Sequence, residues 1–406
     1  MPDAAARVVV CSAFPRCGGC QTLHQPYDLQ LRAKTELARA RLSPWLGSSG
    51  VIRPILGCPS PSGMRAKAIY PLARQGGRLL MGFFEQGSHR IVESPVCPAQ
   101  AKHLTEAARR VRVVLSELRP SIHDARRNDG YLRHILLRLS PSCHELLLVL
   151  VTRSEREPLE AALVSAFREA LGSIRPRGER AVRLVGIVRN VNDARGTTVL
   201  GPRESLLWGR PYLEETVGRL TLRVSASSFY QVNPVMAARL YQLVVRRARL
   251  TGRERVVDAY CGVGAIALHL SDRAAQVTGI ESSPRAVRDA MANAERNHCS
   301  ARFEEARVET ALGPQLASGV DLLVVDPPRA GLSKEVTAII GRAPPPRLIY
   351  VSCSLASLAR DAERLRAAGL ELDSAEPLDL FPHTEHIEVL AVFSSPRAGR
   401  GRSTPR

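Results

Sequence analysis

Apolar and polar positions change rhythm along this chain, and the changes outline its elements. Tyr27 to Arg41 is rich in Leu, Ala and Arg and predicts a helix stopped near Pro44. From about 50 to 95, short apolar runs broken at Pro-Ser-Gly and Gln-Gly-Gly predict strands joined by turns. Residues 99–118 predict a helix. Alternation returns over 131–152, with Leu132, Ile135, Leu137 and Leu139 followed by the run Leu146 to Val151. A helix over about 156–171 and further strand pieces over 181–222 complete this half.

Near residue 225 the texture changes. Ala237 to Arg249 predicts a helix, and short apolar runs then alternate with helical stretches. Each run leads into a chemically distinct residue. Val256-Val257 enters a glycine turn, Gln276 to Ile280 reaches Glu281, Leu322 to Val325 reaches Asp326-Pro327-Pro328, and Leu348 to Val351 reaches Ser352-Cys353. A final strand covers Val389 to Phe393. Strand–helix alternation predicts a parallel sheet with helices on both faces. The expected class is α/β: a Rossmann-like, doubly wound, mostly parallel domain over 221–395, preceded by a mixed α+β, strand-rich region over 1–220. Residues 396–406, basic and rich in Gly and Pro, are expected to form a disordered tail. No fixed-period repeat is visible.

Length agrees with two domains, because a single core rarely grows past about 250–300 residues and the chain has 406. A composition 45% hydrophobic and 24% charged excludes a disordered chain. No apolar run approaches the roughly 20 residues of a membrane helix, and the N-terminus has no secretory signal pattern. A cytoplasmic monomer is expected, where nine cysteines point to metal binding or catalysis rather than disulfides.

Charge sharpens the division. Lys and Arg number 57 against 39 Asp and Glu, a net +18 that suggests a polyanionic partner, RNA or DNA. Only Lys34, Lys67, Lys102 and Lys334 are lysines, so arginine-favouring codon bias is a competing source of the excess. Residues 1–220 hold 33 basic and 19 acidic residues, residues 221–395 hold 20 of each, and 396–406 add four Arg and no acid. A uniform bias would not leave one half neutral. The cysteine-bearing half is therefore expected to grip phosphates.

The strand ends carry the candidate chemistry. Gly262 and Gly264 permit a tight turn and close approach of a ligand to the N-terminus of the next helix. One G-x-G is a weak signal by itself, and the third glycine of a dinucleotide fingerprint is absent. Glu281, at the next strand end, can accept hydrogen bonds from ribose hydroxyls or can cap a helix beside Ser282 and Ser283. The prolines after Asp326 stiffen the strand exit and aim the carboxylate at the crevice where such sheets bind ligands, although a turn-capping Asp is also consistent. Cys353 lies at a fourth strand end, where a thiolate would act as a nucleophile; a buried structural Cys is the alternative. Asp379 to Glu388 adds carboxylates and histidines suited to acid–base work near that thiol, or to a polar loop.

Taken together, these segments resemble the S-adenosylmethionine-dependent RNA uracil-5-methyltransferases, of which the iron–sulfur-containing enzymes of 23S ribosomal RNA are one type. The matching residues are Ser228 to Pro234, Asp258 to Gly264, Asp326 to Leu332, Tyr350 to Cys353 with Leu358 to Asp361, and Phe381 to Glu388. Leu132-Arg133-His134 and the N-terminal cysteines extend the likeness. The resemblance implies that Cys353 is the nucleophile and Glu388 the general base, and that Gln231, Tyr260, Glu281 and Asp326 bind the cofactor. It implies an RNA partner, ribosomal RNA ahead of tRNA. Two positions depart from the family pattern. Ser354-Leu355 stands where the family usually has Asn-Pro, and Ala265 where it commonly has Asn or Thr. Glu385 is a competing carboxylate, but the motif alignment favours Glu388.

Cys11, Cys17, Cys20 and Cys97 supply four thiolates, and both zinc and an iron–sulfur cluster accept such ligands. Structural zinc sites more often show two close pairs, which this spacing lacks. The resemblance implies a 4Fe-4S cluster on these four residues. With ten residues before Cys11, the small RNA-binding barrel that begins some relatives is expected to be absent. Cys58, Cys143, Cys261 and Cys299 read as buried or incidental.

Two other classes stay in view. Amino-group methyltransferases also use an Asp/Asn-Pro-Pro strand end, but usually with an aromatic residue next, where this chain has Arg329. A non-enzymatic iron–sulfur RNA-binding protein would not need the motif residues intact.

Overall fold

The computed structural model describes residues 9–155, 157–196 and 198–395; the basic segment 396–406 lies outside the described residues. The strand-rich half is built on a seven-stranded sheet. Its main path runs Arg203–Gly209, Val182–Val191, Glu145–Thr152, Leu132–Ser140, Lys67–Gln75 and Arg78–Met81. Glu145–Thr152 is buried at every position and pairs on both sides, which is why its sequence is a continuous apolar run. Helices Lys102–Leu118 and Glu160–Leu171 cover one face through Leu104, Val111, Leu115, Leu163 and Phe167. The other face, with Leu136, Leu147 and Val149, shares a core with the hairpin Tyr212–Val217 and Leu220–Ser225 and with helix Pro234–Ala248. The two halves are thus joined by common apolar packing.

The second sheet has eight strands. Arg255–Ala259, Gln276–Glu281, Ala301–Glu305, Leu322–Val325 and Arg347–Ser352 are parallel. Glu388–Ser394 runs antiparallel between Arg347–Ser352 and Glu371–Leu378. Numbered in chain order, the seven strands of the C-terminal half lie in the order 3-2-1-4-5-7-6, and only the seventh is reversed. Successive strand residues feed opposite cores. Val256 and Val324 face helices Pro234–Ala248 and Ala265–Leu270. Val257 and Val325 face helices Val308–Ala317, Lys334–Arg342 and Leu355–Ala367. Helix Pro234–Ala248 begins earlier than apolar spacing suggests. Asn233 caps it, accepting a hydrogen bond from Met236 N, and Pro234 takes the first helical position.

A sequence boundary at 220/221 does not follow the sheets. Strand Leu46–Ile52 pairs in parallel with Glu371–Leu378 as the eighth strand of the C-terminal sheet. Helix Tyr27–Leu42 reaches the same core through Leu42. The segment Leu46-Gly-Ser-Ser-Gly-Val-Ile is too polar to announce a strand; it forms where the partner strand would otherwise expose an open edge. A buried network fastens this crossing. Lys34 Nζ lies 2.7 Å from Asp379 Oδ1 with both side chains almost fully buried, and Tyr27 OH donates to Asp379 Oδ2 at 2.8 Å.

Candidate active site and a cysteine-lined cavity

The site forms at the C-terminal edge of the parallel strands. After strand Arg255–Ala259 the backbone turns through Tyr260, Gly262 and Gly264, all at positive φ (63°, 54° and 81°). A non-glycine residue in that region marks a strained turn of the kind found at functional sites. At Gly264 a side chain is excluded twice, by φ and by Phe303, whose ring would lie 2.8 Å from an added Cβ. Gly262 faces open space, so its backbone is accessible to a ligand. Glu281 is held by two backbone donors: Gly262 N reaches Oε2 at 3.1 Å and Ser283 N reaches Oε1 at 2.7 Å. Oε1 also accepts from the Ser282 hydroxyl at 3.4 Å, so the carboxylate is fixed in orientation while Oε2 keeps a lone pair for a ribose hydroxyl. Asp258, fully buried one turn away, accepts from Ala267 N at 2.9 Å, and burial pushes its carboxyl up to about 8.

The resemblance-derived acid–base residues converge. Burial pushes the Cys353 thiol up to about 11; the nearby Glu388 and Asp326 carboxyls add to this, while Arg329 opposes it. Burial raises Asp326 to about 7, and burial with the Asp326 charge holds Glu388 well above the carboxylate range. Two carboxyls so placed share protons rather than ionising together. The structure also separates the two glutamates. Glu388 is 2% exposed at the start of the reversed strand, whereas Glu385 is solvent-exposed.

The loop after Asp326 is fixed by Asp361, a residue with no assigned role in the sequence analysis. Its Oδ2 accepts from Leu332 N at 2.7 Å and from Tyr350 OH at 2.9 Å, and an added Cβ at Gly331 would meet it at 2.3 Å. Arg329, also unassigned, donates to the His386 ring at 2.9 Å. Its position beside Cys353 could not be read locally because it depends on how two loops meet. The departure at Ser354-Leu355 keeps the same helix-start chemistry. The Ser354 side chain accepts from Ser357 N as N-cap, and Leu355 occupies the first helical position that Pro also favours. Ala265 is the first residue of its helix and is buried. Burial raises the Tyr260 phenol to about 12. Gln231 is buried beside the strand-rich half, where Ala66 N bonds Val232 O at 2.8 Å.

Cys11, Cys17, Cys20 and Cys97 line one cavity with Phe14 and Arg65. Burial, joined by neighbouring thiols, raises Cys17 and takes Cys20 to about 11. Among the described residues no three His, Cys, Asp or Glu side chains are grouped to hold a single metal ion. The cavity adjoins the loop before Glu388, since Gln21 N and Thr22 N donate to His383 O at 2.9 and 3.0 Å. Cys58 and Cys261 are buried, while Cys143 and Cys299 are partly so.

The sheet order and its glycine turn fit a doubly wound, ligand-binding α/β domain, and the class follows from the family match: residues 256–327 match the family described as Methyltransferase domain. Residues 316–395 match tRNA (Uracil-5-)-methyltransferase. An uncharacterized RNA methyltransferase of Halalkalibacterium halodurans is 36% identical over 94% of this chain and 82% of its own length. One of Clostridium acetobutylicum is 33% identical over 95% and 83%. The crystal structure of Pyrococcus abyssi tRNA (uracil-54, C5)-methyltransferase with S-adenosyl-L-homocysteine superposes with a TM-score of 0.75 at 27% identity, over 93% of this chain and 85% of that one. The chain belongs to the S-adenosylmethionine-dependent RNA uracil-5-methyltransferase family. Among the described residues no helix is long and apolar enough to cross a membrane.

Proposed function

We propose that the protein methylates C5 of a uridine in RNA, with 23S ribosomal RNA as substrate, through a covalent bond between Cys353 and C6. The observation that carries this reading is the meeting of the Cys353 thiol with the buried Glu388 carboxyl at the strand ends. Uracil C5 is a poor nucleophile. The Cys353 thiolate adds to C6, and the displaced π electrons form an enolate that makes C5 electron-rich. C5 forms a bond to the methyl group of S-adenosylmethionine, whose methyl–sulfur bond breaks to leave S-adenosylhomocysteine. Glu388 then takes the C5 proton, the C5–C6 double bond reforms, and the sulfur–C6 bond breaks to return the thiolate. Gln231, Tyr260, Glu281 and Asp326 hold the cofactor in this reading. The target nucleotide has to leave its stack to reach the recessed thiol.

Ribosomal RNA is favoured because cluster-bearing members of the resembled family mostly act there. The likeness to the Pyrococcus abyssi tRNA enzyme supports a second reading, tRNA. Incubation with 5-fluorouridine-substituted ribosomal RNA and tRNA tests both. Fluorine at C5 blocks proton removal, so a covalent RNA adduct at Cys353 should accumulate on the true substrate. Tight RNA binding without any adduct would sink the mechanism.

The four cysteines line one cavity, and four thiolates can hold either a zinc ion or a 4Fe-4S cluster; the family resemblance favours the cluster. Cys11, Cys17, Cys20 and Cys97 would hold it, with Arg65 offsetting thiolate charge. The cluster would cross-link the N-terminal segment to the strand-rich half.

A further inference from the structure

One cleft lies where the two halves meet, beside the candidate cofactor residue Gln231, and its other lining residues have no role assigned above. It is open to solvent and is lined by Lys67, Arg138, Glu215, Tyr230 and Gln231 among others. Lys67 and Arg138 are direct cross-strand partners in the antiparallel pair Lys67–Gln75 and Leu132–Ser140. Like charges directly opposed across two strands destabilise a sheet. Neither cation has a carboxylate at ion-pair distance among the described residues. The Arg138 side chain donates to Ser228 O, but its Nε is buried without an acceptor. The Tyr230 hydroxyl is a second buried donor without a partner. Burial, with the Arg138 charge beside it, pushes the half-buried Lys67 ammonium down to about 7. Burial raises the Glu215 carboxyl to about 7 against hydrogen bonds from Ser140 and Ser142, and its Oε2 is buried without a donor, so Glu215 has to be protonated when an anion sits in the cleft. Two buried donors without partners, Arg138 Nε and the Tyr230 hydroxyl, beside a Lys67 ammonium that a bound anion would hold in its charged form, call for an anion rich in oxygen acceptors.

We propose that Lys67, Arg138 and Tyr230 form a seat for a backbone phosphate of the substrate RNA, fixing the strand where it passes from the basic half to the methyltransferase half. The proposal rests on the RNA reading above. Its placement follows from the elements that meet there. Strand Lys67–Gln75 brings Lys67 from the basic half, and the hydrogen bond from Ala66 N to Val232 O sets that strand against the segment carrying Tyr230 and Gln231. A phosphate held there lies beside a candidate cofactor residue and restricts how the adjoining nucleotide enters the cleft. The methionine carboxylate of the cofactor has the same oxygen-anion chemistry, and the experiment separates the two sources.

Lys67→Gln and Lys67→Arg proteins are assayed at full length for RNA KM and kcat, for S-adenosylhomocysteine affinity, and for the salt dependence of RNA binding. Lys67→Gln should raise the RNA KM roughly tenfold with a smaller change in kcat, leave S-adenosylhomocysteine affinity unchanged, and flatten the slope of log affinity against log salt by about 0.7–0.9, the share of one phosphate. Removal of one of two opposed charges should not lower the unfolding temperature, and Lys67→Arg should restore most of the RNA affinity. An unchanged KM and salt slope overturn the seat. Lost S-adenosylhomocysteine affinity with intact RNA binding gives the site to the cofactor and overturns it as well. Should the wild-type protein make no 5-methyluridine, the uridine reading fails, while the salt slope still decides the seat.

Discussion

The two halves solve opposite electrostatic problems. The methyltransferase half is neutral over 221–395 and gathers Asp258, Asp326 and Glu388 close enough to perturb one another. Such a site repels a phosphodiester. The strand-rich half carries 33 basic residues against 19 acidic ones, yet contributes none of the proposed acid–base groups. Separate placement would let buried carboxyls keep raised proton affinities while the basic half attracts a polyanion. The shared core between the sheets keeps the two functions in one rigid register.

The strongest attempt to break this division is aimed at the neutral half. Cys353→Ala should cut methylation by at least about 10³-fold while leaving RNA affinity within about twofold, measured by methyl incorporation and filter binding. Retained activity would hand the chemistry to an amino-group mechanism. Glu388→Gln should slow turnover by about 10²–10⁴-fold and trap an adduct on ordinary RNA, visible as a shifted band on a denaturing gel. In the free protein the same change removes a carboxyl that raises the Cys353 thiol, so iodoacetamide should label Cys353 faster at pH 8 than in wild type.

The seam between the halves comes next. Lys34→Met leaves Asp379 buried without its cation and should cost about 3–5 kcal/mol in denaturant unfolding. Cys97→Ser should lower the iron and acid-labile sulfide content of the purified protein; an unaltered content would remove Cys97 from the proposed ligand set. The smallest effect tests the charge argument itself. Arg126→Gln with Arg127→Gln, in an exposed turn of the basic half, should flatten the salt dependence of RNA binding by about 0.7–0.9 for each phosphate these arginines neutralise. Arg253→Gln with Arg302→Gln, exposed on the neutral half, should leave it unchanged.

Most strands and helices were legible because their signals are local. The run Leu146 to Val151 reads as a fully buried strand, and Val256-Val257 before Gly262 reads as a strand entering a ligand turn. Strand Leu46–Ile52 was not legible, since its pairing energy comes from a partner more than 300 residues away. The choice between Glu385 and Glu388 rested on motif alignment in sequence; the structure adds that Glu388 is buried and Glu385 exposed. Asp361 and Arg329 were silent because their importance lies in what the folded chain sets against them.

The sequence by itself determined the order of elements, the chemical groups at the strand ends and the uneven charge of the two halves, since each depends on residue type and near-neighbour spacing. Only the tertiary structure decided which groups meet. Long-range register placed Lys67 opposite Arg138, brought four scattered cysteines around one cavity, and set Glu388 rather than Glu385 in the dry interior beside Cys353. Proton affinities follow burial and neighbouring charge, and those are properties of the packed chain.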